Sequence, residues 1–476
     1  MSEVKTTAVV LGGSLAGMLA ARALAATGAR VTVVERDALP AGPEPRKGLP
    51  QARHVHQLWS GGARALEELL PGARDALSAA GVRRVPMTTD MVALSAHGWY
   101  RRWPESAFML PAGRDLLDWV VRDLVRADGA IEVLDRTEVV ALTGTGRAVT
   151  GARVRSGGAE RTLDAGLVVD ATGRGSRAAH WLAGLGLPDP ERREVDSGLT
   201  YASRLFRAPE GARDGFPVVN IEPDQRGSRI GRGGVLLPVE DGRWLVTLIG
   251  ARSDEPPSTG PEFLRYAGEE LRHPLIGELL GHAEPLTDVT VTRTTANRRV
   301  FYERLSEWPE GFVVLGDALC ALNPVYGHGM SVAARSALAL RDTVLRRGGL
   351  GTPGLARRAQ RAVGRTVRTA WDLAIGADVF YPGATPAGPT VRDRLVAGYV
   401  GRLLLTATGN GRVARRVTDV TSLETGAQAL LAPRMLLAAA VGPLRPPLSG
   451  PPLTAEERKA AGLVQGLPSG SRRGGS

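Results

Sequence analysis

The sequence predicts an α/β fold in which a Rossmann-like nucleotide-binding domain is interrupted by a β-sheet substrate domain and followed by a helical C-terminal region. Three observations predict it. A strand, glycine turn, helix and second strand open the chain over Thr6–Glu35. A second strand and turn, Phe312-Val-Val-Leu-Gly316-Asp317, precedes a helix from about Met330 to Leu345. Between them, Val195–Arg293 changes to short alternating strands, the pattern of a separate sheet.

The first element runs Thr6-Thr-Ala-Val-Val-Leu into the turn Gly12-Gly13-Ser14-Leu15-Ala16-Gly17 and an alanine-rich helix to Thr27. Gly28–Glu35 is the second strand, and Glu35 stands roughly 20 residues beyond the turn, where it can accept hydrogen bonds from ribose hydroxyls. The helix N-terminus suits a pyrophosphate. Ser14 replaces the middle glycine of G-x-G-x-x-G, which leaves a hydroxyl for phosphate but takes room in the turn. The loop 40–57 carries Arg46-Lys47-Gly48 and Arg53-His54-Val55-His56. Its two histidines lack a carboxylate or cysteine at metal-ligand spacing, so basic contacts to phosphate or ring are the expected use of this loop. Residues Ala63–Ala80 read as helix, Trp99–Pro104 as a strand or lid, and Gly113-Arg114 as the start of an amphipathic helix.

Ile131–Ser156 reads as strands joined by glycine turns. Leu163–Val169 is a strand delivering Asp170-Ala-Thr-Gly173-Arg174-Gly175-Ser176-Arg177. These letters resemble a second glycine-rich site, but no second strand with an acid follows, so a turn packed on the first nucleotide is expected. Strands are expected at Gly198–Phe206, Val218–Ile221, Gly234–Pro238 and Arg243–Gly250, a helix near Pro261–Arg272, and a returning strand at Thr290–Val300. Gly316-Asp317 then places a carboxylate at the carboxyl end of a buried strand, where ligands of open α/β sheets bind. Pro324, Gly327, His328, Gly329 and Met330 form the next turn, whose glycines let backbone approach a flat ring. The helix after it aims free N–H groups at that turn.

The nucleotide domain is thus expected over 1–80, 105–185 and 290–345, and the substrate domain over 81–104 and 186–289. A C-terminal helical region should span 346–442. The Pro/Gly/Ser-rich residues 443–476 should be disordered. Arg357, Arg358, Arg361, Arg365 and Arg368 share a helical surface that could be merely solvated or could dock an acidic carrier protein.

The chain has 476 residues, 43% of them apolar, enough for a large core. Its formal charge is +11, yet Lys5, Lys47 and Lys459 are the only lysines and no nucleic-acid motif occurs, so nucleic acid is not an expected partner. The single Cys320 excludes a disulfide framework and fits a reducing, cytoplasmic setting. The apolar run Ala8–Ala29 is broken by glycines, Ser14, Arg22 and Thr27, so it reads as strand plus helix, and neither a membrane span nor a cleavable leader is expected. No metal site is expected.

Together, Gly12–Gly17, Asp170-Ala-Thr-Gly173 and Gly316-Asp317 with Pro324 and Gly327–Met330 resemble the FAD-dependent monooxygenases of the aromatic-hydroxylase fold, over about residues 5–345. More closely, Arg46-Lys-Gly-Leu-Pro-Gln-Ala-Arg53-His-Val-His56 and Asn323–Met330 resemble the polyene epoxidases of polyether ionophore biosynthesis, of the monensin and lasalocid type. There the similarity continues through Trp371–Met435. The resemblance implies bound FAD, O2 as co-substrate, and NAD(P)H acting directly or through a separate flavin reductase. It implies oxygen transfer from a C4a-hydroperoxyflavin to alkenes of an apolar linear polyene polyketide, free or on an acyl carrier protein.

Carried over by position, Gly12, Ser14 and Gly17 would hold the pyrophosphate, Glu35 the adenosine ribose, and Arg114 would reach the phosphate or ribityl region; Gly13, Leu15, Ala16, Arg36, Arg46 and Lys47 are further expected cofactor-binding residues. Main chain near Val139 would border adenine, Asp317 would bind a ribityl hydroxyl, and Pro324 with Gly327, His328, Gly329 and Met330 would face the ring. No catalytic base is expected, though His328 could tune the flavin's charge. The alternatives are an aromatic hydroxylase and a non-catalytic FAD-binding interaction protein. Halogenation is disfavoured because no Trp-x-Trp occurs, and serine hydrolysis because no G-x-S-x-G occurs.

Overall fold

The computed structural model describes residues 6–224, 230–251 and 255–463; residues 464–476, part of the segment expected to be disordered, lie outside the described residues. Five strands form a parallel sheet in the spatial order Phe312–Val314, Leu167–Asp170, Thr7–Leu11, Arg30–Val34, Ile131–Leu134. Three of them are apolar nearly throughout, as a sheet covered on both faces requires. Helices Leu15–Ala25 and Gly329–Arg347 pack on each other, and both contribute fully buried alanines, among them Ala20, Ala21, Ala334 and Ala337. Since all five strands point one way, the segments after them emerge at one edge. Gly12-Gly13-Ser14, Glu35, the Asp170 turn and Gly316-Asp317 are therefore neighbours.

An eight-stranded sheet is built mainly from Leu199–Arg207, Arg243–Ala251, Gly233–Val239, Val218–Ile221 and Met91–Ser95, antiparallel except for the last pair. Side chains alternate across it. Ala202, Phe206, Leu236, Trp244, Val246 and Leu248 face a core shared with Phe263, Tyr266 and the helix Leu275–Leu280. Tyr201, Val235, Leu237, Thr247 and Ile249 project from the other face, toward Pro324 and Val325.

Several expected elements are divided. Ala63–Ala80 is two helices, Ser60–Leu69 and Ala73–Ala79, because Pro71-Gly72 intervenes and Gly72 takes φ +86°. The stretch expected as one strand, Leu163–Val169, is the end of Ala159–Asp164 plus the start of Leu167–Asp170, which belong to different sheets. Thr290–Val300 likewise splits into Thr290–Thr292 on the large sheet and Asn297–Val300 in a three-stranded sheet.

The expectation of disorder from residue 443 is overturned up to 463. Thr454 caps the helix Ala455–Ala460 through a reciprocal capping box with Glu457. Arg102 grips Glu457 at 2.7 and 3.0 Å, and Leu453 and Ala461 are buried in the core of the large sheet. Composition misled here because a few anchors suffice to fix a proline-rich strap. The C-terminal region before it consists mainly of helices Leu355–Thr366, Arg368–Asp378, Val391–Gly409, Gly411–Thr421 and Pro433–Val441. Its arginine stripe is not uniformly free: Arg357 donates to the carbonyls of Leu305 and Ser306, Arg358 to that of Pro353, and Arg368 faces Asp372 at 3.6 Å. No helix among the described residues is long and apolar enough to cross a membrane.

Candidate functional site

The glycine turn is fixed by contacts that only glycine permits. Gly12 takes φ +101°, and a Cβ there would lie 2.5 Å from the carbonyl oxygen of Ala171; a Cβ on Gly17 would lie 1.8 Å from that of Gly12. The Asp170 turn is therefore packed against the first turn. Ser14 is the N-cap residue of the first helix, and its side chain makes no capping hydrogen bond, which leaves the hydroxyl for a ligand. Leu15 is buried, and Ala16 lies where a Cβ on Gly316 would come within 2.9 Å.

Glu35 fastens this turn as well as facing the crevice. Its carboxylate accepts from Gly13 N–H at 2.7 Å and Asp37 N–H at 2.9 Å, and pairs with Arg46 at 3.0 Å. A carboxylate has about four lone-pair sites, so one remains for a ribose hydroxyl. Arg46 is buried and also donates to the Gly13 carbonyl at 3.2 Å. Its guanidinium lies 4.0 Å from Asp118, which pairs with Arg114 at 2.7 Å. Val139 is near this end of the sheet, since Thr137 N–H donates to the Glu35 carbonyl. Arg36 and Lys47 are exposed; Arg36 faces Asp37 at 3.6 Å, and Lys47 joins none of these contacts.

Asp317 keeps 41% of its side chain exposed in the crevice, with Arg174 at 4.0 Å. The surrounding protein raises its pKa, while Arg174, Arg114 and Arg298 pull it down. Arg174 is itself anchored to the carbonyls of Ala296 and Leu322. Behind it Asp170 is fully buried and accepts from Thr172 and Ser176, so it holds its own turn and does not face ligand.

The turn at 324–330 is built to stay open on one side and is braced on the other. Gly327 takes φ +62° and packs against Gln57, while nothing lies within 4 Å of a Cβ on Gly329. Gly329, Met330 and Ser331 begin the long helix, whose first-turn N–H groups lack internal acceptors. From behind, Asp378 accepts from Tyr326 OH at 2.6 Å, Asn297 at 2.6 Å and Asn323 at 2.8 Å. Asn323 accepts from Tyr201 OH and caps the short turn through Val325 N–H. His328 donates from Nε2 to the Thr421 carbonyl at 2.8 Å, and burial pushes its pKa down to about 4. It is neutral near pH 7, which argues against tuning the ring by a positive charge.

Between this turn and the free face of the large sheet is a pocket lined by Val55, Trp59, Met109, Tyr201, Val235 and Ile249, among others, with Pro324 and Val325 on the opposite wall. None of its lining residues is Asp, Glu, Lys or Arg. The cradle for a dinucleotide, the helix N-terminus for an anionic ring edge and the open glycine fit FAD, with the pocket against the ring's seat.

The residues expected at the glycine turn, at Gly316-Asp317 and at 324–330 lie along this crevice, whereas the side chains that brace them were not expected. Asp118 was signalled by its i, i+4 spacing from Arg114. Arg174 stood in a motif read only for its glycines. Asp378, Tyr201 and Gln57 carry no local signal, since each acts across the fold.

Residues 5–345 match the family described as FAD binding domain. Protein Rv3254 of Mycobacterium tuberculosis is 33% identical over 80% of this chain and 82% of its own length. Kynurenine 3-monooxygenase of Salinispora arenicola is 28% identical over 71% and 72%. Among solved structures, a triple mutant of the flavin-dependent brominase Bmp2 superposes with a TM-score of 0.64 over 91% of this chain and 99% of that one, at 15% identity, a likeness of fold alone.

Proposed function

Because the chain belongs to the FAD binding domain family, we propose that it is an FAD-dependent monooxygenase that epoxidises alkenes of an apolar, linear polyene. One observation carries this reading: a pocket without charged side chains lies between the free sheet face and Pro324-Val325. Bound FAD would supply the activation of O2, which is the cofactor's own chemistry. Gly12–Gly17, Glu35 and Arg46 would hold its dinucleotide, Asp317 its ribityl chain, and the amides at Gly329 and Met330 an anionic ring edge. The pocket walls would orient the substrate and exclude water. An alkene attacks an electrophilic oxygen without losing a proton first, so a lining with no carboxylate suits it. A phenol gains from ionisation by a nearby base.

A second reading, FAD-dependent aromatic hydroxylation, is favoured by the similarity to kynurenine 3-monooxygenase. The reductant in either case would be NAD(P)H, used directly or through a separate flavin reductase. The substrate would be offered free or by an acyl carrier protein, which the exposed arginines of the C-terminal region would suit; the polyether pathway is the proposed setting. A likeness to a brominase at 15% identity does not outweigh the lack of Trp-x-Trp in the chain.

The deciding experiment incubates the protein with FAD, NADPH, a flavin reductase, O2 and either a linear polyene or a phenol, with products read by mass spectrometry. Epoxides from the polyene are expected. Hydroxylated phenol with untouched polyene selects the second reading. A protein that binds FAD and consumes no O2 beyond the reductase background refutes both and leaves a binding protein.

A further inference from the structure

His54 lies in the wall of the apolar pocket and is only 3% exposed. Its Nδ1 is 2.7 Å from Ser203 Oγ, on the sheet strand. Ser203 Oγ is in turn 2.5 Å from Thr247 Oγ1, which accepts from Val55 N–H at 3.1 Å. The other ring nitrogen, Nε2, is buried with no partner among the described residues. Leaving a buried polar atom unpaired is costly, and such atoms in native structures call for an explanation.

The direction of the chain of bonds follows from counting protons. Val55 N–H already occupies Thr247 Oγ1 as a donor. If Ser203 also donated to Thr247, the Thr247 hydroxyl proton would have no acceptor among the described residues. If Thr247 donates to Ser203 and Ser203 to His54 Nδ1, every hydroxyl proton is placed. His54 Nδ1 is then an acceptor, so the single proton of the neutral ring sits on Nε2. Burial keeps the ring neutral by pushing its pKa down to about 4. With Nδ1 bonded to the sheet, Nε2 is the polar atom of this pocket-lining side chain left without a partner among the described residues.

We propose that His54 Nε2–H donates a hydrogen bond to an uncharged oxygen of the substrate, a carbonyl or hydroxyl, and so fixes where an otherwise apolar molecule sits. His54 is then a specificity residue. The substrate class narrows to neutral polyenes or arenes bearing such an oxygen. A free carboxylate is disfavoured, because no lining residue could neutralise it. The inference rests on the pocket being the substrate site, as the proposed function has it.

Two measurements test it. Nitrogen-15 spectra of histidine-labelled protein at pH 7, with the His54 signal identified by its loss in His54→Gln, should show a neutral ring protonated at Nε2; protonation at Nδ1 overturns the proposal. In the second, the FAD-loaded protein is titrated with farnesylacetone, a linear trienone, and with the triene hydrocarbon that lacks the carbonyl. An aryl ketone and its deoxygenated arene form a second pair, and binding is followed by the flavin absorbance. The ketone of at least one pair should bind ~10-fold tighter or more than its partner. His54→Leu should collapse the ratio to about one, and His54→Gln, whose amide still donates, should keep part of it. A ratio near one in the unmodified protein, a ratio unchanged in His54→Leu, or binding of neither pair overturns it. Should the ketone bind through His54 while no oxygen is incorporated, the donor stands and the monooxygenase reading falls.

Discussion

Asp317 and Gly327 differ in what surrounds them, one partly open to the crevice and the other packed against a side chain. Asp317 is partly exposed and its partner Arg174 is 4.0 Å away, so its carboxylate contributes little to the fold and, under the proposed function, would be free to meet a ribityl hydroxyl. A hydrogen bond to a charged group is worth about 1.5–3 kcal/mol. Asp317→Ala should therefore lower FAD affinity by roughly 10- to 100-fold with almost no change in melting temperature. The check is the flavin-to-protein absorbance ratio after dialysis, alongside a thermal melt of the same samples. Gly327 behaves differently because its backbone is left-handed and its free side is filled by Gln57. Gly327→Val should strain the turn and push Gln57, costing roughly 1–3 kcal/mol as well as flavin. A variant with unchanged melting temperature and full flavin occupancy would refute this placement.

The segment Asn323–Met330 owes its shape to an element well downstream of it. Asp378, at the end of the helix Arg368–Asp378, is fully buried and gathers Tyr326, Asn297 and Asn323. Under the proposed function it would be a positioning residue, acting on the ring's seat through Asn323 and Tyr326. Asp378→Ala would leave Tyr326 OH and Asn297 without this acceptor, although Asn323 keeps Ser197 Oγ at 3.1 Å. It should cost about 3 kcal/mol, while Asp378→Asn keeps one acceptor and should cost less. Denaturant unfolding measures the stability. The flavin reduction potential is the separating readout: a shift in the soluble Asn variant is expected, and an unmoved potential would mean that the network only stabilises the fold. The same element marks where the sequence stops being legible. The glycine turn, Glu35 and Gly316-Asp317 could be read because each needs a residue type at fixed local spacing. Asp378 could not, for its partners are 52, 55 and 81 residues away. The strands of the parallel sheet followed from patterning, whereas the ordered strap 443–463 was hidden by its composition. That strap covers apolar surface of the large sheet: Leu453 and Ala461 are buried there, and Leu448 bridges Trp99. Deleting residues 443–476 should uncover these groups and lower the melting temperature by at least a few degrees, roughly what the loss of 1–2 kcal/mol produces. Scanning calorimetry of the truncated chain gives the answer, and an unchanged melting temperature would mean that the strap adds nothing to the sheet's stability.

At the scale of the whole molecule, the pocket and the ring's seat are assembled from three parts of the chain, and burial at their junction sets how the protein responds to acid. His54, His56 and His328 all lie there, and desolvation lowers their pKa values from 6.5 to about 4, about 3 and about 4. In the unfolded chain each would titrate near 6.5. Above that pH both states are neutral and the histidines cost nothing. As pH falls from 6.5 toward 4, the unfolded state binds protons that the folded state refuses, so stability is lost across that window, by roughly 3 kcal/mol for each group. Buried carboxylates with raised pKa values, such as Asp378, oppose the trend only where they themselves take up protons. The melting temperature should therefore fall steeply between pH 6.5 and 4, and His328→Gln, which cannot take up the proton, should show a shallower slope than the unmodified protein. Parallel slopes in the two proteins would mean that His328 is solvated and charged in the folded state, and the neutral seat assigned to it would have to be given up.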